Sequence, residues 1–215
     1  MLETMAAFFE ARLEGYDAHM LTEIQGAAEF YPATAALLPA TPGARVLDLG
    51  CGTGLELEFY FAVNPGARVT GIDLSAGMLA ALKEKFPNRE LTLVQASYFD
   101  APLGEDYDAA VSVESLHHFT QAEKTGLYRK LHAALRKGGY FVLTDYFAPD
   151  DGCEAFYFGE LHRLKTEQGI TDDAFYHYDT PLTVSHETQA LLCAGFSRVE
   201  ELGSWGATHI LKAYK

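Results

Sequence analysis

Basic residues are scarce in this chain of 215: 16 Lys and Arg stand against 30 Asp and Glu, a net charge of −14 with the histidines neutral. Nucleic-acid binding runs on clustered lysine and arginine that neutralise phosphates. No basic run is present, so no nucleic acid is expected as partner. Cysteine is sparse too. Cys51, Cys153 and Cys193 are odd in number and irregularly spaced, with no pair at zinc spacing. Neither a disulfide framework nor a metal is therefore expected. Long apolar runs and a basic-then-apolar leader are both lacking, so no membrane partner or secretion is indicated and the cytoplasm is the expected location. Internal repeats and low-complexity stretches are absent. What remains is 48% hydrophobic and 21% charged, enough for one domain with a proper core.

Glycine, by contrast, is concentrated where it matters. Residues 44–54 read ARVLDLGCGTG. Val46, Leu47 and Leu49 are the apolar run of a strand covered on both faces. Gly50, Gly52 and Gly54 then permit a sharp turn and leave no Cβ atoms in a ligand's way. A helix over 55–63 would aim its free N–H groups back at that space, which makes a crevice at the carboxyl end of a strand. A dinucleotide fingerprint, G-x-G-x-x-G, needs glycine at position 55, where the chain has Leu55. A second strand over 67–72 ends at Asp73, 19 residues beyond Gly54, about where Rossmann-like folds place an acid for ribose hydroxyls. An ionised carboxylate accepts both of those hydrogen bonds at once.

The string VLDLGCGTG, with Asp48 two residues before the first glycine, resembles motif I of the class I S-adenosylmethionine-dependent methyltransferases. GIDLS at 71–75 resembles the motif that follows it, in which Leu74 and Met78 would pack against adenine; Met78 reads equally well as core on an amphipathic helix capped by Ser75. After a third strand over 91–95 the family often shows an acid and an alanine; here the acid is missing, and Ala96, Ser97 or Tyr98 would supply the contact. A fourth strand over 107–113 leads into ESLHHF, similar to the family's wall between methyl donor and acceptor. Glu114 there reads as a wall or cofactor contact. His117 and His118 are candidates for proton transfer, or else cap the next helix. A helix over 121–136, a stop at Lys137-Gly138-Gly139 and a fifth strand over 140–144 follow, then the family-like LLCAGF at 191–196 and a hairpin of strands over 199–202 and 208–214.

The resemblance implies an α/β fold: a Rossmann-like three-layer sandwich with a seven-stranded, mostly parallel sheet and an antiparallel last strand. It implies S-adenosylmethionine as cofactor, with S-adenosylhomocysteine as product and a small-molecule acceptor. The cofactor set is then Asp48, Gly50, Cys51, Gly52, Gly54, Asp73, Leu74, Met78, Ala96, Ser97, Tyr98 and Glu114. A single domain, 1–215, divides into N-terminal helices (1–43), a cofactor-binding core (44–146), an inserted acceptor-side segment (147–182) and a C-terminal helix with hairpin (183–215). The N-terminal helices read either as packing on the sheet edge or as a lid, with Tyr16 and Tyr31 its most useful members. Two helical pieces, around 154–168 and 174–178, hold an aromatic-rich set in which Tyr157, His162, Arg163 and His177 could line an acceptor pocket or simply pack. A homodimer is left open. Two other classes compete: a protein that binds or modifies the donor, resembling carboxy-S-adenosylmethionine synthase, and a nicotinamide-dependent oxidoreductase. The first lacks an arginine in SHETQALLC at 185–193; the second is opposed by the glycine spacing and by the absence of a Tyr-x-x-x-Lys pair.

Overall fold

The computed structural model describes residues 1–172 and 174–215. Seven strands form one sheet in the order β3-β2-β1-β4-β5-β7-β6. β1 (Arg45–Leu49), β2 (Arg68–Asp73), β3 (Glu90–Gln95), β4 (Tyr107–Val113) and β5 (Leu135–Tyr146) are parallel, and β7 (Thr208–Tyr214) runs antiparallel to both β5 and β6 (Arg198–Trp205). Alternation along the central strands explains the layering. Leu47 and Leu49 of β1 point into one core with Leu127, Tyr128 and Leu131 of α6 (Gln121–Ala134) and Leu191 of α8 (Val184–Cys193). Val46 points the other way, towards Phe30 of α3 (Ala27–Ala36), Leu57 and Tyr60 of α4 (Leu55–Val63) and Leu82 of α5 (Ala76–Lys85). Both faces of β1 are thus dry, as a parallel sheet requires. The strand order reverses beside β1, between β2 and β4, and the space outside the carboxyl ends there is where open α/β sheets take ligands.

Two expectations are corrected. The fifth strand starts at Leu135 and not at residue 140, directly after α6. Leu135 pairs with Tyr107 and the next pair is Ala109 with Tyr140, so residues 136–139 bulge out, with Arg136 tied to Asp108 at 2.7 Å. Residues 174–178 are extended. Phe175 faces Phe99 and Phe119, Tyr176 faces out to Asp172, and His177 stacks on Phe8, so the aromatics there alternate with a period of two. The segment pairs with the N-terminus through Met5 N–H to Phe175 O (2.8 Å) and His177 N–H to Glu3 O (2.9 Å). The first 43 residues form three short helices, α1 (Met5–Ala11), α2 (Tyr16–Glu23) and α3, broken at Gly15 and Gly26. The inserted helix, α7 (Asp151–Glu167), starts under an Asp150 cap. Among the described residues no helix is long and apolar enough to cross a membrane.

Candidate active site

The turn after β1 is held by Ile72 O, which accepts from the N–H groups of Gly50 (2.8 Å) and Cys51 (3.3 Å). Both glycines that face the crevice have positive φ, 73° at Gly50 and 47° at Gly52. At Gly50 a Cβ would lie 2.0 Å from Ser115 Oγ, whereas at Gly52 it would meet nothing within 4 Å. The two therefore serve different ends: Gly50 admits a neighbouring loop and Gly52 bares the backbone to open space. Asp73, half-buried at the end of β2, accepts from Gly52 N–H with Oδ2 and from Ser75 N–H with Oδ1, each at 2.9 Å. Burial raises its carboxyl above the usual range, and these N–H groups oppose the shift.

This contrast gives a first prediction. Gly52→Ala should fold, at a cost of about 1–2 kcal/mol for a left-handed alanine, and lose nucleoside affinity. Gly50→Ala should lose stability beyond that backbone cost. Thermal unfolding and calorimetric titration of both variants check it; equal behaviour of the two would refute the division of roles.

Two spaces meet at the carboxyl edge of the sheet. A narrow crevice of about 50 Å³ is walled by Gly50, Gly52, Asp73, Leu74, Met78 and Tyr98 and roofed by Met5 and Phe9. A larger cavity of about 760 Å³ lies between α1, α2 and the ends of β4 and β6, with Tyr146, His177, Asp179 and Trp205 in its wall. Phe9, Tyr16, Glu114 and His118 belong to both. The roof is fastened down. Glu10 of α1 accepts from Ser75 Oγ (2.7 Å) and Gly77 N–H (3.2 Å) at the start of α5. Asp17 of α2 accepts from Thr53 in the glycine turn and from Lys85 Nζ at 2.6 Å.

Of the residues expected around the cofactor, Gly50, Gly52, Asp73, Leu74, Met78, Tyr98 and Glu114 line the crevice. Five stand behind it. Asp48 is buried against Glu56 of α4; burial and that neighbouring carboxyl both push its proton affinity well up. One oxygen of each, Asp48 Oδ2 and Glu56 Oε1, lacks a hydrogen-bond partner. Cys51 packs on Gly71, and burial raises its thiol. Gly54 backs onto Leu82 and Phe86. Ala96 N–H donates to Asp73 O at 3.0 Å, and Ser97 Oγ accepts from Phe99 N–H at 3.2 Å in a turn.

Of the acceptor-side residues, Tyr16 and His177 line the large cavity. Tyr31 does not: it is buried beside Phe30 in the sheet-facing core. Tyr157 reaches only the back of the wall, its hydroxyl 3.3 Å from that of Tyr146. His162 and Arg163 are exposed on α7, and Arg163 is spent on Glu160 and Glu167 one turn away on either side.

The histidine pair sits on the cavity wall in a net of acids. His117 Nδ1–H donates to Asp145 Oδ1 at 2.6 Å, while Nε2 lies 3.5 Å from Asp179 Oδ1. Burial alone would lower this imidazole; Asp145 and Asp179 outweigh it and raise it to about 10. His118, buried next to that positive charge, is pushed well down, and its Nδ1–H donates to Tyr178 O at 3.1 Å. Glu114 has a φ of 48°, unusual for a side-chain-bearing residue, and accepts from Thr208 Oγ1 at 2.9 Å. Burial raises it to about 7. Asp145, Asp179, Trp205 and Thr208 went unseen in the sequence. Asp145 alone had a signal, as an acid at a strand's carboxyl end.

A methyltransferase-domain family model matches residues 46–139. Over that stretch the chain carries a methyltransferase domain, and it is similar there to the S-adenosylmethionine-dependent methyltransferases. It is 36% identical over 108 residues to trans-aconitate 2-methyltransferase of Paracidovorax citrulli, covering 50% of this chain and 41% of that one. It is 34% identical over 137 residues to phosphatidylethanolamine N-methyltransferase of Cereibacter sphaeroides, covering 61% and 64%. In fold it is similar to a crystal structure of a putative O-methyltransferase from Nostoc punctiforme, with a TM-score of 0.74 at 21% identity over 99% of this chain and 62% of that one. The chain thus spans 41% to 64% of the length of these three proteins. S-adenosylmethionine is the family's cofactor, and the residues here fit it. The backbone at Gly52 is open to a ligand, and Asp73 offers a carboxylate beside it.

Proposed function

We propose that this protein transfers a methyl group from S-adenosylmethionine to a small-molecule acceptor held in the cavity of about 760 Å³. The observation that carries this reading is the shared wall: the cofactor crevice and the larger cavity meet at Phe9, Tyr16, Glu114 and His118. The cavity has the volume of pockets that enclose drug-sized ligands. Trans-aconitate, the acceptor named for one relative, is a molecule of that class.

The cofactor supplies a sulfonium methyl that is already activated. The chain's own task is to hold the acceptor in line and keep water out. Gly52 and Asp73 fix the nucleoside end. Tyr16 and Phe9 close the junction from above, while Glu114 and His118 form its floor. His117 and His118 are the groups that handle the acceptor, one oriented by Asp145 and the other by Tyr178. The N-terminal helices act as a lid. Their crevice of about 50 Å³ is smaller than a nucleoside site requires, so α1 lifts from Ser75 and Gly77 as the cofactor enters.

Calorimetry with S-adenosylhomocysteine and with NAD divides methyl transfer from nicotinamide chemistry: micromolar-class binding of the former alone is expected. Incubating labelled S-adenosylmethionine with a pool of small metabolites should then yield S-adenosylhomocysteine and a labelled product. Binding of NAD in its place would overturn the reading.

A further inference from the structure

The wall of the large cavity contains a donor set whose third member, Asp179, the methyl-transfer reading does not use. His117, His118 and Asp179 each present one ligand atom, and these atoms lie within 4.8 Å of one another. Asp179 Oδ1 is 3.5 Å from His117 Nε2 and 3.4 Å from His118 Nδ1. Metal–nitrogen and metal–oxygen bonds of about 2.0–2.2 Å at tetrahedral angles give ligand-to-ligand edges of about 3.3–3.5 Å. Both edges to Asp179 match that separation. Direct hydrogen bonds would be shorter, as the 2.6 Å contact between His117 and Asp145 shows.

The surroundings suit a cation as well. Asp145 accepts from His117 Nδ1–H and also from Leu116 N–H at 2.9 Å, so the carboxylate is fixed and Nε2 is turned towards Asp179, where a bound cation would take the place of its proton. A carboxylate behind a histidine in this way is the usual support of a metal-ligating imidazole. His118 gives up its hydrogen bond to Tyr178 O on coordination through Nδ1, and that carbonyl, 3.1 Å away, stays at the edge of the site as an oxygen donor. The cavity wall carries Glu14, Glu23, Glu114 and Asp179 against Arg12, whose guanidinium is paired with Glu3. A second group with ligand spacing among the described residues, Glu114, His117 and Asp145, uses His117 from its other side and is the support for the site, not a rival.

We propose that His117 Nε2, His118 Nδ1 and Asp179 bind a divalent first-row transition metal whose open positions face the acceptor cavity. The two-nitrogen, one-oxygen donor set is of the borderline kind that takes Zn²⁺, Co²⁺ or Fe²⁺ in preference to Ca²⁺ or Mg²⁺. The proposal rests on the acceptor cavity being where the preceding reading puts it, and it gives the imidazoles coordination in place of proton transfer. An acceptor with an oxygen donor could then be gripped next to the transferable methyl.

The test uses the full chain, stripped with a chelator and dialysed against Zn²⁺ or Co²⁺ alone. One equivalent per chain should be retained, and the Co²⁺ form should show the visible bands of a low-coordinate site. Asp179→Asn and His118→Gln should each weaken retention by roughly a hundredfold, and Asp145→Asn by about tenfold as a positioning residue. S-adenosylhomocysteine affinity on the same preparations reports on fold and crevice separately. If the wild type binds S-adenosylhomocysteine but retains no metal, or retains it equally in Asp179→Asn and His118→Gln, the metal site is wrong while methyl transfer stands. If it retains metal but binds NAD and no S-adenosylhomocysteine, the site survives and the methyl-transfer reading falls.

Discussion

Asp73→Ala is expected to weaken S-adenosylhomocysteine binding by at least tenfold, about 1.4 kcal/mol, and up to a few hundredfold. The lower figure is the loss of a carboxylate that takes both ribose hydroxyls. The higher one comes from what Asp73 does for the chain itself. Its two oxygens hold Gly52 N–H and Ser75 N–H at 2.9 Å, so one side chain sets both the glycine turn and the start of α5. Hydrogen bonds to a charged partner are each worth about 1.5–3 kcal/mol, and a turn freed of one must be reordered by the ligand. Asp73→Asn separates the parts: the amide can accept one N–H bond but has no second oxygen for the diol. Calorimetric titration should rank wild type, Asn, then Ala. Unchanged affinity in Ala would remove the ribose assignment altogether.

That ranking also bears on what the sequence could reveal. β1, the glycine turn, β2 and Asp73 are local: apolar run, bared backbone and terminal acid lie within 30 residues, and spacing alone places them. The acceptor wall is not local. Asp179 reaches His117 and His118 from some 60 residues away, and Thr208 reaches Glu114 across 94. No periodicity encodes such meetings. The aromatics at 174–178 misled because a two-residue alternation over a few positions resembles a helical stripe; the pairing of Thr4 with Tyr176 decides the matter. His162 and Arg163 misled differently. α7 buries none of its residues, so polar side chains there pair along the helix, not into a pocket. Tyr31 was misplaced by composition: α3 is dominated by small and aromatic residues that pack on the sheet, and its tyrosine goes with them.

The largest effect on stability is expected far from either space, at Lys124. This lysine of α6 is 1% exposed, and its Nζ lies 2.5 Å from Oε2 of Glu187 in α8, whose Oε1 accepts from the Tyr128 hydroxyl. Helices α6 and α8 cover one face of the sheet, and the trio is the buried polar tie between them, while Gln121 of α6 bonds to His186 O and Gln189 Oε1 of α8 nearer the surface. Removing one member of a buried ion pair leaves the other charge unpaired in a dry site, at a cost of about 3–5 kcal/mol. For a chain of this size each kcal/mol is worth roughly 2–4 °C, so Lys124→Ala should lower the unfolding midpoint by about 6–20 °C. Lys124→Met with Glu187→Gln should recover most of that loss. The methionine fills the lysine stem's volume, and the amide oxygen can still accept from Tyr128. Thermal unfolding by circular dichroism of the single and double variants measures the difference. A double variant no more stable than Lys124→Ala would mean that a stranded carboxylate does not account for the fall.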